Sequence, residues 1–376
     1  MKKIIALLLA LLMVFSLVAC SSKDDDVASP SPSGSVSPSG ENEGGNTASG
    51  DHSGRDPFEL VYMCGSFGNV WCKNIETAMK SLEEEYNFVL YSGSYEYDNN
   101  KCITDIETYC DQEVDGFVMN VGEDIVNRAF EITSEYDIPW LTESTCCRDE
   151  NGVLRTSGVE LNAYSVGVDI GTWIVENYKE HFGIDSFEGK KVGFINPTYS
   201  IVLSFQNRCQ GAYDQIVPAF PGIEVFEPDL MVQNDISASG AYNEISPILA
   251  SHPEIDYWLI TCIIDDWGLG AARAAEGMGI EDKVLITSAG GESLILEWDN
   301  GYDSDGTGCW KMCSYYEAMD YVEYLIPGMI DVLEGTCAME DLWPEFEEEG
   351  SEYSAVQVGG TPCTRDNYEG LIKMRY

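Results

Sequence analysis

From Phe58 onward the chain repeats one pattern: a short apolar run, then a longer segment whose apolar residues return every third or fourth position. The runs include Leu60 to Cys64, Phe88 to Tyr91, Gly116 to Met119, Pro139 to Leu141, Val192 to Ile195, Glu224 to Phe226, Tyr257 to Cys262 and Val284 to Thr287, each of strand length. Between them Val70, Trp71, Ile75, Ala78, Met79 and Leu82 recur at helical spacing. So do Val126, Ala129, Phe130 and Thr133, then Val166, Ile170, Trp173 and Ile174, and later Leu269, Ala272 and Ala275. Near-continuous apolar strands between one-sided helices predict parallel sheets covered on both faces, an α/β fold. The alternation restarts: about four strand-helix units precede Asn162, and a second series begins at Lys190 after a helix predicted over Ala163 to His181. Two doubly wound lobes follow. Ligands of such sheets lie beyond the carboxyl ends of the strands, so two facing lobes create a cleft.

The pattern does not hold before Phe58. Lys2 and Lys3 precede an uncharged run from Ile4 to Val18, which reads as a signal peptide over residues 1–19. Leu17, Val18, Ala19 and Cys20 resemble a bacterial lipobox, a motif that implies cleavage before Cys20 and a lipid on its thiol; the alternative is an ordinary secretory peptide with an incidental cysteine. Residues 20–57 are dominated by Ser, Asp, Pro, Gly, Asn and Glu. Such a composition cannot offset its own ordering entropy, so a flexible tether spanning roughly 30–35 Å is expected, anchored to a membrane by the lipid alone.

Charge narrows the choice of partners. The 376 residues carry 20 Lys and Arg against 65 Asp and Glu, a formal charge of −45. Loss of Lys2 and Lys3 with the leader would leave 18 cations against 65 acids, or −47. A surface this acidic repels phosphate backbones and excludes nucleic acid as a partner. With 44% hydrophobic and 11% aromatic residues the chain still has enough apolar material for sizeable cores. Besides Cys20 there are twelve cysteines, scattered without a C-x-x-C pair, so metal-ligand spacing is absent. Cys64 and Cys262 lie in apolar runs where a buried thiol is expected.

Several strings then resemble the type I extracytoplasmic solute-binding proteins of sugar ABC transporters, the ribose- and galactose-binding family. Asn69-Val70-Trp71 is similar to that family's Asn-Pro-aromatic turn, Val114 to Asn120 to its "VDAIVIN" strand, and Ile138-Pro139-Trp140-Leu141 to its "IPVV". Arg208-Cys209-Gln210-Gly211 matches R-x-x-G, Pro253 to Asp256 matches "PDID", Asp265 to Ala271 resembles "NDxMALGA", and Thr364 to Asn367 resembles "TKEN". Their order spans about 58 to 370. The resemblance implies two lobes joined by a three-crossover hinge, with one lobe at 58–161 plus 313–340 and the other at 162–312 plus 341–376. It also implies hinge closure around a solute and delivery to a membrane permease.

A sugar offers apolar C–H faces and a rim of hydroxyls, so its site needs aromatic rings beside Arg, Asn, Asp or Glu. The candidates are Asn69, Trp71, Phe67, Glu143, Asn162, Arg208, Asp265 and Asp266. Each has a plainer alternative: Asn69 as the cap of the following helix, Trp71 as core, Arg208 in a surface ion pair. Arg208 leads the set because cations are scarce. Departures are visible as well. Ser288-Ala289-Gly290-Gly291 stands where the family has "GFDG", with Glu292 the nearest acid, and the acid after "IPVV" is either Glu143 or lost to Ser144. They put the usual monosaccharides in doubt.

Enzymatic chemistry finds little support. The three histidines, His52, His181 and His252, stand in the tether, at a helix end and in a His-Pro turn. No phosphate-binding G-x-x-x-x-G-K-[ST] string occurs. Asp303 and Asp305, within Gly301 to Gly306, form only part of a calcium loop. The expectation is a monomeric, non-enzymatic, lipid-anchored receptor without cofactor that delivers a sugar or similar polyhydroxylated solute to an ABC permease. The rivals are a sensor that presents its closed form to a membrane histidine kinase, and an extracytoplasmic carbohydrate-active enzyme.

Overall fold

The computed structural model describes residues 52–200, 202–230 and 236–374. Cys20 and most of the expected tether lie outside them. The first series runs β1 (Phe58–Cys64), α1 (Val70–Ser81), β2 (Phe88–Ser94), α2 (Asn99–Asp111), β3 (Gly116–Met119), α3 (Val126–Glu135), β4 (Trp140–Glu143) and β5 (Gly158–Leu161). The second runs α4 (Ala163–Phe182), β6 (Val192–Ile195), α5 (Leu203–Ala219), β7 (Glu224–Phe226), α6 (Ala238–Ser251), β8 (Tyr257–Cys262), α7 (Asp265–Met278), β9 (Val284–Gly290), α8 (Glu292–Asp299) and β10 (Trp310–Tyr315). Then come α9 (Ala318–Glu334), β11 (Ala355–Val358) and β12 (Thr361–Thr364).

The strands form two six-stranded sheets, ordered β11-β5-β4-β3-β1-β2 and β12-β10-β9-β8-β6-β7. Pairing is parallel throughout except for β12 against β10. Period-two alternation explains why the strands read as continuous apolar runs. In β1, Leu60, Tyr62 and Cys64 enter the core shared with α1 and α9, while Val61 and Met63 enter the core on the opposite face with Ile106 and Phe117. All five β1 residues are fully buried. A fully buried side chain of this size contributes about 1.5–3 kcal/mol, so the central strands anchor each lobe. Cys64 and Cys262 are buried in their strands as expected, and of the twelve described cysteines only Cys337 has appreciable exposure.

Helix starts are set locally. Asn69, Asp98, Asn162 and Ser237 each accept a backbone N–H of the helix that follows. The R-x-x-G glycine has a packing reason. A Cβ at Gly211 would lie 2.3 Å from the Tyr164 carbonyl oxygen, and one at Gly167 would lie 2.0 Å from that of Arg208. Helices α4 and α5 therefore cross backbone to backbone, which fixes the height of Arg208 on α5.

Sheet membership corrects the expected lobe boundaries. Cys313 to Tyr315 continue β10 in the second sheet, because this buried run pairs with both β9 and β12; the chain crosses only after Tyr315. It stays with the first sheet through Val358, since β11 covers the edge beyond β5. The three crossings fall after Leu161, after Tyr315 and at Gly359-Gly360. A second correction concerns the tether, whose last residues, 52–57, rest on the first lobe. Buried His52 bonds Glu334 through Nδ1 at 2.9 Å, Arg55 donates to Glu334, Asn87 and Tyr86, and Asn87 Nδ2 donates to the His52 and Arg55 carbonyls. Among the described residues, no helix is long and apolar enough to cross a membrane.

Candidate functional site

The carboxyl ends of both sheets meet around three rings and one cation. Trp71, in the first turn of α1, packs edge-on against Tyr316 at 5.8 Å between centroids and against Tyr321 of α9 at 5.1 Å. Tyr316 follows β10 at the second crossing, and its N–H donates to the Gly290 carbonyl. The Arg208 guanidinium of α5 stands 6.0 Å from the Tyr316 ring and 5.1 Å from that of Phe205. Each lobe and one hinge segment thus contribute to one wall-to-wall line. A direct lobe-to-lobe hydrogen bond closes it at one side, from Asn74 Nδ2 of α1 to Glu292 at the start of α8.

On the first lobe Glu143, at the end of β4, is fully buried and accepts four side-chain donors. These are Trp71 Nε1 at 3.0 Å, Asn120 Nδ2 at 2.7 Å, Tyr62 Oη at 3.3 Å and Ser144 Oγ. Burial raises its pKa, and the four donors hold it down. Glu143 and Ser144 therefore belong to one network, and the choice between them dissolves. Its direct role is to hold the indole of Trp71 at the cleft.

On the second lobe Arg208 is 7% exposed. Its Nη1 donates to the Ile263 carbonyl at 2.7 Å, whereas its Nε is buried without a partner. Among the described residues it forms no ion pair, so the surface-pair alternative does not hold. Burial raises the Tyr316 pKa, and the Arg208 charge opposes that rise.

The other candidates are placed differently. Asn69 caps α1 by accepting from Trp71 N at 2.9 Å, and Asn162 caps α4 by accepting from Ser165 N at 3.1 Å. Phe67 packs against Tyr62 at 6.4 Å. Asp265 turns inward: its carboxylate accepts from Ser288 Oγ at 2.6 Å and from the N–H groups of Gly291, Ser293 and Leu294, which seats the start of α8. Burial pushes its pKa up to about 7 against those donors. Asp266 is exposed and accepts from Ser293 Oγ. Glu292 is exposed by area, yet protein crowds its carboxylate and raises its pKa, with the Asn74 bond working against the rise. Asp303 of the acidic turn is taken by Lys311 Nζ at 2.7 and 2.8 Å.

Sequence reasoning missed Tyr316, Asn120, Asn74, Tyr62 and Phe205. Two of them had a local signal: Asn120 closes the strand motif that begins at Val114, and Tyr316 belongs to an aromatic pair directly before the N-cap Glu317.

Residues 60–322 match the family model described as periplasmic binding protein domain. The chain belongs to the periplasmic binding protein family. An ABC transporter L-arabinose-binding periplasmic protein of Azospirillum brasilense is 22% identical to this family member over 239 residues, covering 61% of this chain and 68% of that protein. Among solved structures, a periplasmic ribose ABC transporter protein from Conexibacter woesei DSM 14684 aligns with a TM-score of 0.64 at 15% identity, over 85% of this chain and 96% of the other. A glucose-galactose binding protein from Geobacillus stearothermophilus aligns with a TM-score of 0.61 at 17% identity, over 84% and 99%. The architecture of this periplasmic binding protein is accordingly the type I fold: two doubly wound lobes and three crossings.

Proposed function

We propose that the protein is an extracytoplasmic receptor that shuts its two lobes around a sugar or similar polyhydroxylated small molecule and hands it to the permease of an ABC importer. The mature chain is monomeric and held at the membrane by a lipid on Cys20. Arg208 carries this reading: a buried guanidinium with unspent donors faces the convergence of both sheets, beside the rings of Trp71 and Tyr316. Rings match the C–H faces of a pyranose or furanose, and guanidinium N–H groups match its oxygens. Asn69, Asn162 and Asp265 act behind this surface by setting the helices that present it. Bound solute bridging Trp71 and Arg208 gains contacts only when the lobes are shut, which shifts the hinge toward closure.

Thermal unfolding with a panel of pentoses, hexoses, inositols, sugar acids, nucleosides and amino acids tests the proposal. A solute at 100 times its dissociation constant stabilises by about 2.7 kcal/mol. A sugar or polyol is expected to raise the midpoint and to be recovered unchanged. Stabilisation by an amino acid or nucleoside alone, or conversion of the bound solute, would overturn the reading.

A further inference from the structure

We propose that Cys313 and Cys363 are a covalent modification site: in the exported chain they join as a disulfide that ties two of the three lobe crossings together. The bridge rests on the extracytoplasmic placement argued above and not on which solute is bound. The two residues face each other in the antiparallel register of β10 and β12. Residues directly opposite on antiparallel strands have Cα atoms about 4.5–5.5 Å apart, within the roughly 4.4–6.8 Å that a disulfide spans. Both side chains are fully buried in the core of the second lobe, and the Cys313 thiol is in hydrogen-bonding contact with Cys363. Other buried cysteines are engaged elsewhere: Cys147 donates to the Val126 carbonyl and Cys209 to that of Pro197. Cys64 and Cys72 also touch, but they stand on a strand end and the helix just after it, where a bridge would close only a short loop and gain less.

Topology gives the bridge its effect. Between the two cysteines the chain leaves the second lobe after Tyr315, passes through α9 and β11 in the first, and returns at Gly359-Gly360. The closed loop of about fifty residues is therefore the whole excursion, and closing it removes more chain entropy than a short local loop would. What holds the return is otherwise slight. β12 is a four-residue edge strand paired on one side only, and Pro362 within it has no N–H to give. Just before it Gly360 is pressed onto β10, where a Cβ would lie 1.8 Å from Ser314 Oγ. The bridge keeps β12 seated there, so that bending is confined to the residues between it and the first lobe.

Burial pushes the Cys313 thiol up, which makes it a poor nucleophile once β12 is seated. Exchange therefore takes place as the chain folds, with an exported thiol oxidant that carries a disulfide. The Cys363 thiolate attacks that disulfide, one oxidant sulfur leaves as a thiolate, and a mixed disulfide forms. The Cys313 thiolate then attacks Cys363 Sγ: the Cys313–Cys363 bond forms and the mixed bond breaks. The oxidant takes up the two electrons, and the two protons lost by the cysteines end on its two sulfurs.

Refolding the mature chain from urea in a glutathione buffer poised at about −180 to −210 mV tests the bridge. After free thiols are trapped by alkylation and the chain is digested without reductant, mass spectrometry is expected to show a Cys313–Cys363 peptide as the main form of both residues. A reductant should then lower the melting point by about 5 °C or more, and should leave Cys363→Ala, refolded in the same buffer, unmoved. The peptide map of the unsubstituted chain decides the matter even if that variant does not fold. Both cysteines recovered alkylated, or either joined to a different cysteine, would overturn the proposal, as would an equal shift in the variant. Each of those results leaves the receptor reading standing, because solute binding by the reduced chain is read separately in the thermal panel.

Discussion

The two walls of the cleft spend their polar groups in opposite ways. On the first lobe the buried charge, Glu143, has a donor on every side and is closed to further bonds. On the second, the buried Arg208 donates to the Ile263 carbonyl and lies against the Tyr316 hydroxyl, and its Nε has no partner. A satisfied buried network rigidifies, while an unsatisfied buried charge waits for something outside the chain. The first wall is therefore scaffolding for an aromatic surface, and the second is where a solute is recognised.

Substitutions on the two walls should separate along that line. The largest effect is expected from Glu143→Ala, which strands Trp71 Nε1, Asn120 Nδ2 and Tyr62 Oη together and should cost about 3–5 kcal/mol of stability in denaturant unfolding. If that variant unfolded like the wild type, the scaffold assignment would be wrong. Arg208→Ala should show the converse: loss of about 2–5 kcal/mol of solute affinity by calorimetry, with the melting point of the free protein nearly unchanged or raised.

Protons give a third, smaller probe. Burial pushes Asp169 up to about 6 and Asp265 up to about 7, above the ordinary unfolded value near 3.9. An acid with a raised folded pKa binds protons more readily in the native state. Its contribution is fully present below about pH 4 and is lost as pH rises through the folded value. The melting point of the free protein should accordingly climb on mild acidification from about pH 8 to about pH 5. Asp169→Asn, which keeps an acceptor for Ser314 Oγ, should flatten that climb and stabilise the protein at pH 8 by up to about 3 kcal/mol. A melting point that fell over the same range would contradict the burial of these acids. The smallest effect is expected at the rim, where Asn74→Ala removes one lobe-to-lobe bond and should change solute affinity by less than about 10-fold. A larger loss would move recognition from Arg208 toward Glu292.

The lobes were legible because their signal is periodic: β1 and β8 bury both faces, so their buried residues are apolar apart from Thr261. The lobe boundaries were not, because β11 and β12 are four-residue strands separated by only Gly359-Gly360, and nothing in so short a run tells which sheet it joins. Arg208 could be found because Gly211, three residues on, is needed for the α4–α5 approach and leaves a recognisable spacing. The Glu143 network was hidden for the opposite reason. Its donors come from β1, α1, the end of β3 and the residue after β4, so their convergence exists only in the folded chain. Asn69 and Asn162 show the limit of motif matching, since one side chain in the right place first answers the helix behind it.

The pinning of Trp71 has an optical consequence. Of the eight tryptophans, Trp140, Trp258, Trp267, Trp298 and Trp310 are buried in the cores, Trp173 packs in the core of Phe194 and Leu259, and Trp343 lies edge-on to Tyr324 of α9. Only the Trp71 indole sits where solute would arrive, clamped by Glu143 so that its orientation does not wander. Occupancy should therefore register as a change in intrinsic emission, making the native chain a label-free reporter of its own cargo.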